Sequence, residues 1–220
     1  MPSTSSAPAA DVVLTDEESV TALVAELELD VKGLIDAVRY ADSERALCTA
    51  NDVHGFSSMT VYDKTARALR ETYVGRGWER DETNNQAGIA HPVKKIRLVP
   101  CNFDQNTCNP LVQPSNRSPK GEVSKAKTRC NATAWLPGLP DIPAQSEHEY
   151  KTWILGVYAV DGEPLKAELC FPVEFDGKHF TRFSIRAMLL RGDEESETPA
   201  RRSGDAPPPT EIVDIPIARK

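Results

Sequence analysis

Apolar residues recur three and four positions apart between residues 16 and 74, which is the spacing of one face of an α-helix. Breaks near Asp30 and at residues 51–55 divide this pattern into three series. Gly75 and Gly77 follow the last series, as glycines often follow the end of a helix. The pattern therefore predicts three helices, of which at least two are amphipathic.

The clearest strand pattern lies near the C-terminal end. A continuous apolar run at residues 153–160 leads into Asp161-Gly162, a dipeptide preferred in type I′ hairpin turns because both positions need positive φ. Residues 165–171 alternate between apolar and polar, as a half-buried strand does. A third run follows at residues 180–190. Together these segments predict a β-meander.

The middle of the chain gives weaker signals. Residues 92–100 form a short apolar run between two prolines, and residues 128–136 also suggest a strand. Residues 101–129 contain few apolar side chains and are interpreted as one long loop. Long loops inside compact domains are usually functional or mobile.

We expect an α+β fold in one domain over residues 15–192. Its helical part, residues 15–77, forms an N-terminal layer on a mostly antiparallel sheet built from residues 78–192. Residues 1–14 are rich in Ser, Ala and Pro, and residues 193–220 are dominated by charged and Pro residues. Both ends are therefore predicted to be disordered, and the second forms an acidic tail.

Composition narrows the class of protein. The 220 residues contain no run of ~18 apolar residues, so no membrane-spanning helix is expected. The five cysteines form no Cys-x-x-Cys pair, and the first residues lack the basic and apolar regions of a secretory signal. We expect a reduced, cytoplasmic setting without attachment to a membrane.

Charge is distributed unevenly along the chain. The formal net charge of −7 disfavours general binding to nucleic acid. Residues 91–130 nevertheless carry eight Lys and Arg against two Asp and Glu. Because a partner responds to the local potential, this segment is the candidate contact site for an anionic partner.

The candidate contact residues are cations in the predicted loop, namely Arg117, Lys120, Lys125, Lys127 and Arg129. Lys and Arg beside Ser, Gly and Asn bind phosphate through charge and through backbone N–H groups. Two interpretations stay open. The loop contacts nucleic acid or an acidic protein, or it is a solvated loop whose charges offset the acidic helices. No nucleic-acid-binding motif accompanies the charge.

A metal site was considered at Cys101, Cys108, Cys130 and His91, because thiolates and imidazoles are the ligands that zinc prefers. Common zinc modules place paired ligands two to four residues apart, and this spacing is absent here. We therefore expect buried or incidental thiols and no metal.

An enzymatic alternative rests on Asp161, Glu163, Lys166 and Glu168 around the first hairpin. Lys166 and Glu168 are two positions apart on a strand and so share a face. Metal-dependent nucleases and hydrolases combine acidic metal ligands with a lysine. Opposite charges on the exposed face of an amphipathic strand are also ordinary. The chain contains no P-loop, no Gly-x-Gly-x-x-Gly and no nucleophile elbow, and we expect no cofactor.

Four short segments stand out as motifs: residues 77–84 (Gly-Trp-Glu-Arg-Asp-Glu-Thr-Asn), 114–121 (Pro-Ser-Asn-Arg-Ser-Pro-Lys-Gly), 169–172 (Leu-Cys-Phe-Pro) and 186–190 (Arg-Ala-Met-Leu-Leu). Together they resemble a pattern in uncharacterised bacterial proteins, often from actinobacteria and mobile DNA. The resemblance covers residues 60–191 and departs from the pattern at residues 102–108. It implies a bacterial, cytoplasmic origin and a role near DNA metabolism or host–phage conflict, and it transfers no catalytic residue.

Three functional hypotheses follow. The leading one is a non-enzymatic binding or accessory protein whose basic loop contacts nucleic acid or an acidic protein. The second is a metal-dependent hydrolase or nuclease with its site on the hairpin of residues 151–171. The third is a structural subunit that docks a larger partner through a sheet edge or through the apolar residues 212–217. The sequence does not specify an oligomeric state.

Overall fold

The structure, a computed structural model, describes residues 11–134 and 150–192. The strands are β1 (Val12–Leu14), β2 (Glu79–Asp81), β3 (Gly88–His91), β4 (Ile96–Asn102), β5 (Lys151–Tyr158), β6 (Lys166–Phe175) and β7 (Phe180–Leu190). The helices are α1 (Glu17–Glu26), α2 (Val31–Arg45), α3 (Phe56–Tyr73) and α4 (Glu122–Ala134), and a 3₁₀ turn covers Thr83–Asn85. The strands form one sheet in the order β1-β7-β6-β5-β4-β3-β2.

The three helices predicted before residue 77 are present. Asp16 caps α1 by accepting a hydrogen bond from the Ser19 N–H at 2.8 Å. Asp30 caps α2 in the same way from the Gly33 N–H at 2.6 Å. Such caps satisfy backbone donors that have no partner inside the helix. Local sequence therefore determines where these helices begin.

The sheet is covered on both faces, as β5 shows. Trp153, Leu155 and Val157 belong to the large apolar core that the sheet shares with α1, α2 and α3. Ile154 points the other way and packs with Phe103 in a second, smaller cluster. Successive side chains of a strand point to opposite faces, so the two clusters lie on opposite sides of the sheet.

Helix α4 is anchored to the second face by one buried side chain. The Asn131 amide donates to the carbonyls of Thr152, at 2.8 Å, and Pro172, at 2.9 Å. Its oxygen accepts from the Thr152 N–H at 2.8 Å. The register of β5 and β6 would pair Thr152 with Pro172, which has no N–H to donate. Asn131 therefore replaces the missing part of the strand ladder.

The α+β class is confirmed, and β5, β6 and β7 pair antiparallel in sequence order as predicted, but the predictions of a mostly antiparallel sheet and of an N-terminal helical layer are wrong. The sheet is mixed, because β1 pairs parallel with β7 and β4 pairs parallel with β5. A parallel pair needs a long crossover, and the connection from β4 to β5 contains α4. Helices therefore lie on both faces of the sheet and not only in an N-terminal layer.

Two local predictions are also wrong. The loop predicted over residues 101–129 is shorter, because β4 ends at Asn102 and α4 begins at Glu122. The strand predicted over residues 128–136 is helical as far as residue 134. The cause is the unusual composition of α4, whose buried face is polar and so gives no apolar helical period.

The prediction of disorder over residues 1–14 is wrong for residues 12–14, which form β1 and pair with β7. The remaining predictions for the chain ends fall on residues 1–10 and 193–220. These residues, including the apolar residues 212–217, lie outside the described part of the chain.

Candidate functional site

A cavity of about 250 Å³ lies on the second face of the sheet, between α4, strands β4 to β6, α3 and the turn that precedes β3. Its lining combines lysine, hydroxyl and amide side chains with apolar residues such as Val99, Ile154 and Phe180. Ligand sites commonly have such a lining, in which apolar walls carry a small number of polar groups.

Helix α4 contributes a polar face to this cavity. Ser124, Lys127 and Thr128 line it, and Asn131 continues the same helix face beyond the cavity; the four recur three and four residues apart, and each is 9% exposed or less. Residues at this spacing share one face of a helix. A helix that only supports a sheet normally presents apolar side chains there, so this face is built for polar contacts.

Lys127 is the central charged group of the cavity. Its Nζ donates to the Gln86 side-chain oxygen at 2.6 Å. The pKa of the Lys127 amine is lowered to about 8, mainly by burial and also by the nearby Arg97 guanidinium, while Asp81 opposes both effects. Lys127 is therefore mostly a cation at pH 7, but it loses its proton at a much lower pH than an ordinary lysine does.

Gln86 is held in position from two sides. Its Nε2 donates to the Ser124 hydroxyl at 3.1 Å. The turn before it is fixed by Asp81, whose carboxylate accepts from the Thr83 N–H and hydroxyl at 3.1 and 2.6 Å. Asp81 also forms a buried ion pair with Arg97. The position of the Lys127 amine is thus set by groups that are themselves fixed.

Thr152 brings a second polar group to the cavity wall. Its side chain is 3% exposed, and within residues 11–134 and 150–192 its Oγ1 has no hydrogen-bond partner. The Thr152 backbone is fully bonded to Asn131, so the residue cannot turn away. A buried hydroxyl without a partner is costly and rare. It offers a ready hydrogen bond to a ligand.

Lys120 and Cys101 lie next to each other on the cavity wall. Burial raises the pKa of the Cys101 thiol, and the charge of Lys120 only partly opposes that rise. The thiol therefore stays protonated at neutral pH and is a poor nucleophile. Lys120 is half-buried and adds a second positive charge to the cavity.

The described residues that line the cavity carry a net positive charge. Among the described residues that line the cavity, Lys120 and Lys127 are cationic and none is acidic. Within that same part of the chain, no carboxylate forms an ion pair with the Lys127 Nζ. The arrangement favours an anion, because a buried charge is stable only when it is paired.

The five cations predicted to contact a partner do not share one surface. Lys120 and Lys127 line the cavity. Lys125 and Arg129 line a separate groove beside the turn between β6 and β7. Arg117 is exposed on the segment between β4 and α4, and its backbone N–H donates to the Asn102 carbonyl.

The groove differs from the cavity in its charge. Glu174 and Asp176 line it together with Lys125 and Arg129. The Lys125 Nζ also lies 3.1 Å from the Glu122 carboxylate. The groove is therefore nearly balanced in charge, whereas the cavity is cationic.

The carboxylate–lysine group of the enzymatic hypothesis is dispersed around the β5–β6 hairpin. Asp161 is exposed and pairs with Arg45, and Glu163 is exposed in the turn. The Lys166 amine lies over the Tyr158 ring, 5.6 Å from its centroid. Glu168, in contrast, is fully buried on the second face of the sheet.

Glu168 belongs to a closed ion pair. Its Oε2 accepts from the Arg186 Nε at 2.9 Å, and its Oε1 accepts from the Cys108 N–H at 3.2 Å. Arg186 also donates to the carbonyls of Asn109 and Val112, at 3.0 and 2.9 Å. Both charged side chains are buried. The pair thus binds the segment after β4 to the sheet.

The four metal-ligand candidates occupy different places. His91 bonds to Glu28 at 2.8 Å, Cys101 lines the cavity, and the Cys130 thiol donates to the Tyr150 carbonyl at 3.7 Å. Burial raises the pKa of the Cys108 thiol to about 12. Within residues 11–134 and 150–192, no group of three or more His, Cys, Asp or Glu side chains is arranged to hold a metal ion.

Comparison with known proteins gave no match to a family model, to a curated protein or to a solved structure. The resemblance to uncharacterised bacterial proteins therefore stays a prediction. Across the described helices, none has the length and apolar character needed to cross a bilayer.

Sequence reasoning named Lys120 and Lys127 but missed the groups that give them a site. Gln86, Ser124 and Thr152 carry no motif, and two of them come from elements outside the predicted loop. One signal was present: the polar residues 124, 127, 128 and 131 recur at helical spacing. A polar period of this kind predicts a helix with a polar buried face.

Proposed function

We propose that this protein binds a small anionic compound in the cavity between α4 and the sheet. The observation that carries the proposal is Lys127, an amine nine-tenths buried whose bond is to the neutral Gln86 oxygen and not to a carboxylate. A buried cation of this kind lowers stability unless a counter-ion joins it. A ligand carboxylate or phosphate would supply that counter-ion.

The neighbouring groups complement an anion. The Thr152 hydroxyl is without a partner in the described chain, and Lys120 adds a second charge. The apolar residues Val99 and Ile154 would contact the carbon part of the ligand. A volume of about 250 Å³ suits a compound of a few heavy atoms, since drug-sized ligands need larger cavities.

This proposal specifies the anionic partner as a small molecule and not as a nucleic acid or an acidic protein. Lys120 and Lys127 line a cavity of about 250 Å³ that suits a small ligand, while Lys125 and Arg129 share their groove with carboxylates. A bacterial, cytoplasmic origin agrees with a metabolite ligand and stays part of the proposal.

The test is calorimetric titration of the full chain with inorganic phosphate, acetate and succinate near pH 7. We expect at least one anion to bind, and added salt to weaken it. Lys127→Met should raise the dissociation constant at least about tenfold, because the main charge is lost. Lys127→Arg should bind within about fivefold of the parent.

Lys125→Met is the matched control. It removes the same charge from the same helix, two residues away, but outside the cavity. Its affinity should equal that of the parent. Equal losses in Lys125→Met and Lys127→Met would contradict the proposal, as would a thermal midpoint that no anion shifts at about 10 mM.

A further inference from the structure

We propose that Lys127 forms an imine with a small 2-oxo acid in this cavity, an inference that rests on the proposed function. Three features of the site support covalent chemistry beyond anion binding. They are the placement of the amine, the environment that removes its proton, and the hydroxyl groups beside it.

The placement makes the amine nitrogen available for attack. Lys127 lines the cavity, and its Nζ gives one N–H to Gln86, which lines the cavity as well. In the described chain no carboxylate is paired with this nitrogen, so no ion pair must break before it loses a proton. A lysine pushed toward its neutral form by desolvation and a neighbouring cation is the usual amine nucleophile toward carbonyl compounds.

The charged groups that face Lys127 act in opposite directions. Arg97 on β4 favours the neutral amine, and Asp81 on β2 favours the ammonium. Arg97 and Asp81 are paired with each other, so their effects on Lys127 partly cancel and burial remains the main cause. Because burial sets the pKa near 8, about a tenth of the amine is neutral at pH 7 and about half at pH 8.

The reaction balances without an added oxidant or reductant. The neutral amine adds to the carbonyl carbon: a C–N bond forms, the C=O π bond opens onto oxygen, and one proton passes from the nitrogen to that oxygen. The resulting carbinolamine loses its hydroxyl group and one nitrogen proton as water, which leaves the imine. Thr152 and Ser124 carry hydroxyls at the cavity wall that can pass these protons.

A 2-oxo acid fits better than a simple ketone. Its carboxylate satisfies the positive charge that the cavity presents, and Lys120 remains to bind it after the Lys127 amine has become neutral. The adjacent carbonyl is then held close to the amine, and such proximity raises the rate of addition. Glyoxylate and pyruvate are small enough for this volume.

The test is reductive trapping. The full chain is incubated with glyoxylate or pyruvate and cyanoborohydride, and the modified peptide is identified by mass spectrometry. We expect one adduct, on Lys127, formed at least about tenfold faster than adducts on surface lysines. The trapping rate should rise with pH around 8, well below the 10.5 of an ordinary lysine.

Two variants separate this inference from the proposed function. Lys127→Arg removes the primary amine, so it should lose the adduct; anion binding by phosphate or acetate is measured on the parent chain, where it reports the proposed function alone. Lys125→Arg should keep both. Anion binding with trapping spread over several lysines, or an undiminished adduct in Lys127→Arg, would overturn the imine and leave the proposed function standing. Absence of any anion binding would remove both.

Discussion

Two buried sets of charges lie on the same face of the sheet and differ in how completely they are paired. Glu168 and Arg186 neutralise each other: Arg186 Nε donates to Glu168 Oε2, and Nη2 lies 2.8 Å from the same oxygen without forming a hydrogen bond in the described chain. Glu168 Oε1 and Arg186 Nη1 bond to backbone groups of residues 108–112. Lys127 has a neutral partner, and nearby Thr152 Oγ1 has none in the described chain. The first set is closed to any ligand, and the second is incomplete without one.

The comparison distinguishes buried charges that stabilise the fold from buried charges that bind a ligand. A closed ion pair holds segments together, and its loss lowers stability because a charge stays buried alone. An unpaired buried cation lowers stability while it is present, which natural sequences tolerate where a ligand completes the site. The two sites should therefore respond to mutation with opposite signs.

The largest effect is expected for Arg186→Met. Glu168 would then remain buried without its counter-ion, and two carbonyls of the segment after β4 would lose their donor. We expect the free energy of unfolding to fall by about 3–5 kcal/mol in a urea titration.

The double variant Glu168→Gln with Arg186→Met is the control for that change. It removes the remaining charge, so it should recover at least about 1 kcal/mol of the loss. A loss below about 1 kcal/mol in the single variant would show that the pair is not the structural site inferred here.

The sequence determines the helical half of the fold better than the sheet. Val20, Val24 and Leu34 are buried at the spacing that predicts α1 and α2. The parallel pairing of β4 and β5 has no local signal, because it depends on where the crossover lies. The short β1 has none either, since three residues bordering a Ser-, Ala- and Pro-rich segment give no period.

The second effect in size is expected for Asn131→Ala, which tests the anchor that forms the cavity wall. The substitution leaves the Thr152 N–H and two carbonyls without their partner. We expect a loss of about 2–4 kcal/mol in the same titration. Ala132→Ser, one residue further along α4 and only half-buried, should change stability by less than about 1 kcal/mol.

The third change, Lys127→Met, should stabilise the protein in the absence of ligand. The folded-state pKa of about 8 is below the ordinary 10.5, so the folded state carries the penalty of a buried ammonium below about pH 8. We expect the variant to be more stable by about 1–3 kcal/mol at pH 7, after loss of the Gln86 hydrogen bond is included.

The difference in free energy of unfolding between Lys127→Met and the parent should shrink as the pH rises. Between pH 8 and 10.5 the unfolded parent binds more protons than the folded parent, so its stability rises relative to Lys127→Met. The advantage of the variant should therefore approach zero or reverse by about pH 10. A difference that stays constant from pH 7 to pH 10 would mean that the amine is not buried as a cation.

Part of the candidate site could be predicted from the sequence. Lys120 and Lys127 were identified from local charge, but as members of an exposed surface. Their environment depends on which face of α4 packs against the sheet. That face carries the polar residues Ser124, Thr128 and Asn131, so an apolar period in the sequence does not identify it as buried. Contacts such as Gln86 to Lys127, separated by 41 residues, follow only from the tertiary fold.

The smallest effect on stability is expected for Thr152→Val, which should nevertheless weaken anion binding. Because Oγ1 is buried and has no partner in the described chain, replacing it by a methyl group should leave the free energy of unfolding unchanged or raise it by up to about 1 kcal/mol. Anion affinity should nevertheless fall about fivefold, because the hydroxyl no longer donates to the ligand. Thr152→Ser, which keeps the hydroxyl and loses a methyl, should show the reverse: retained affinity and a loss of about 1 kcal/mol. If Thr152→Val instead destabilises the ligand-free protein by more than about 1 kcal/mol, the hydroxyl already has a partner, and the contrast between a closed and an incomplete site no longer holds.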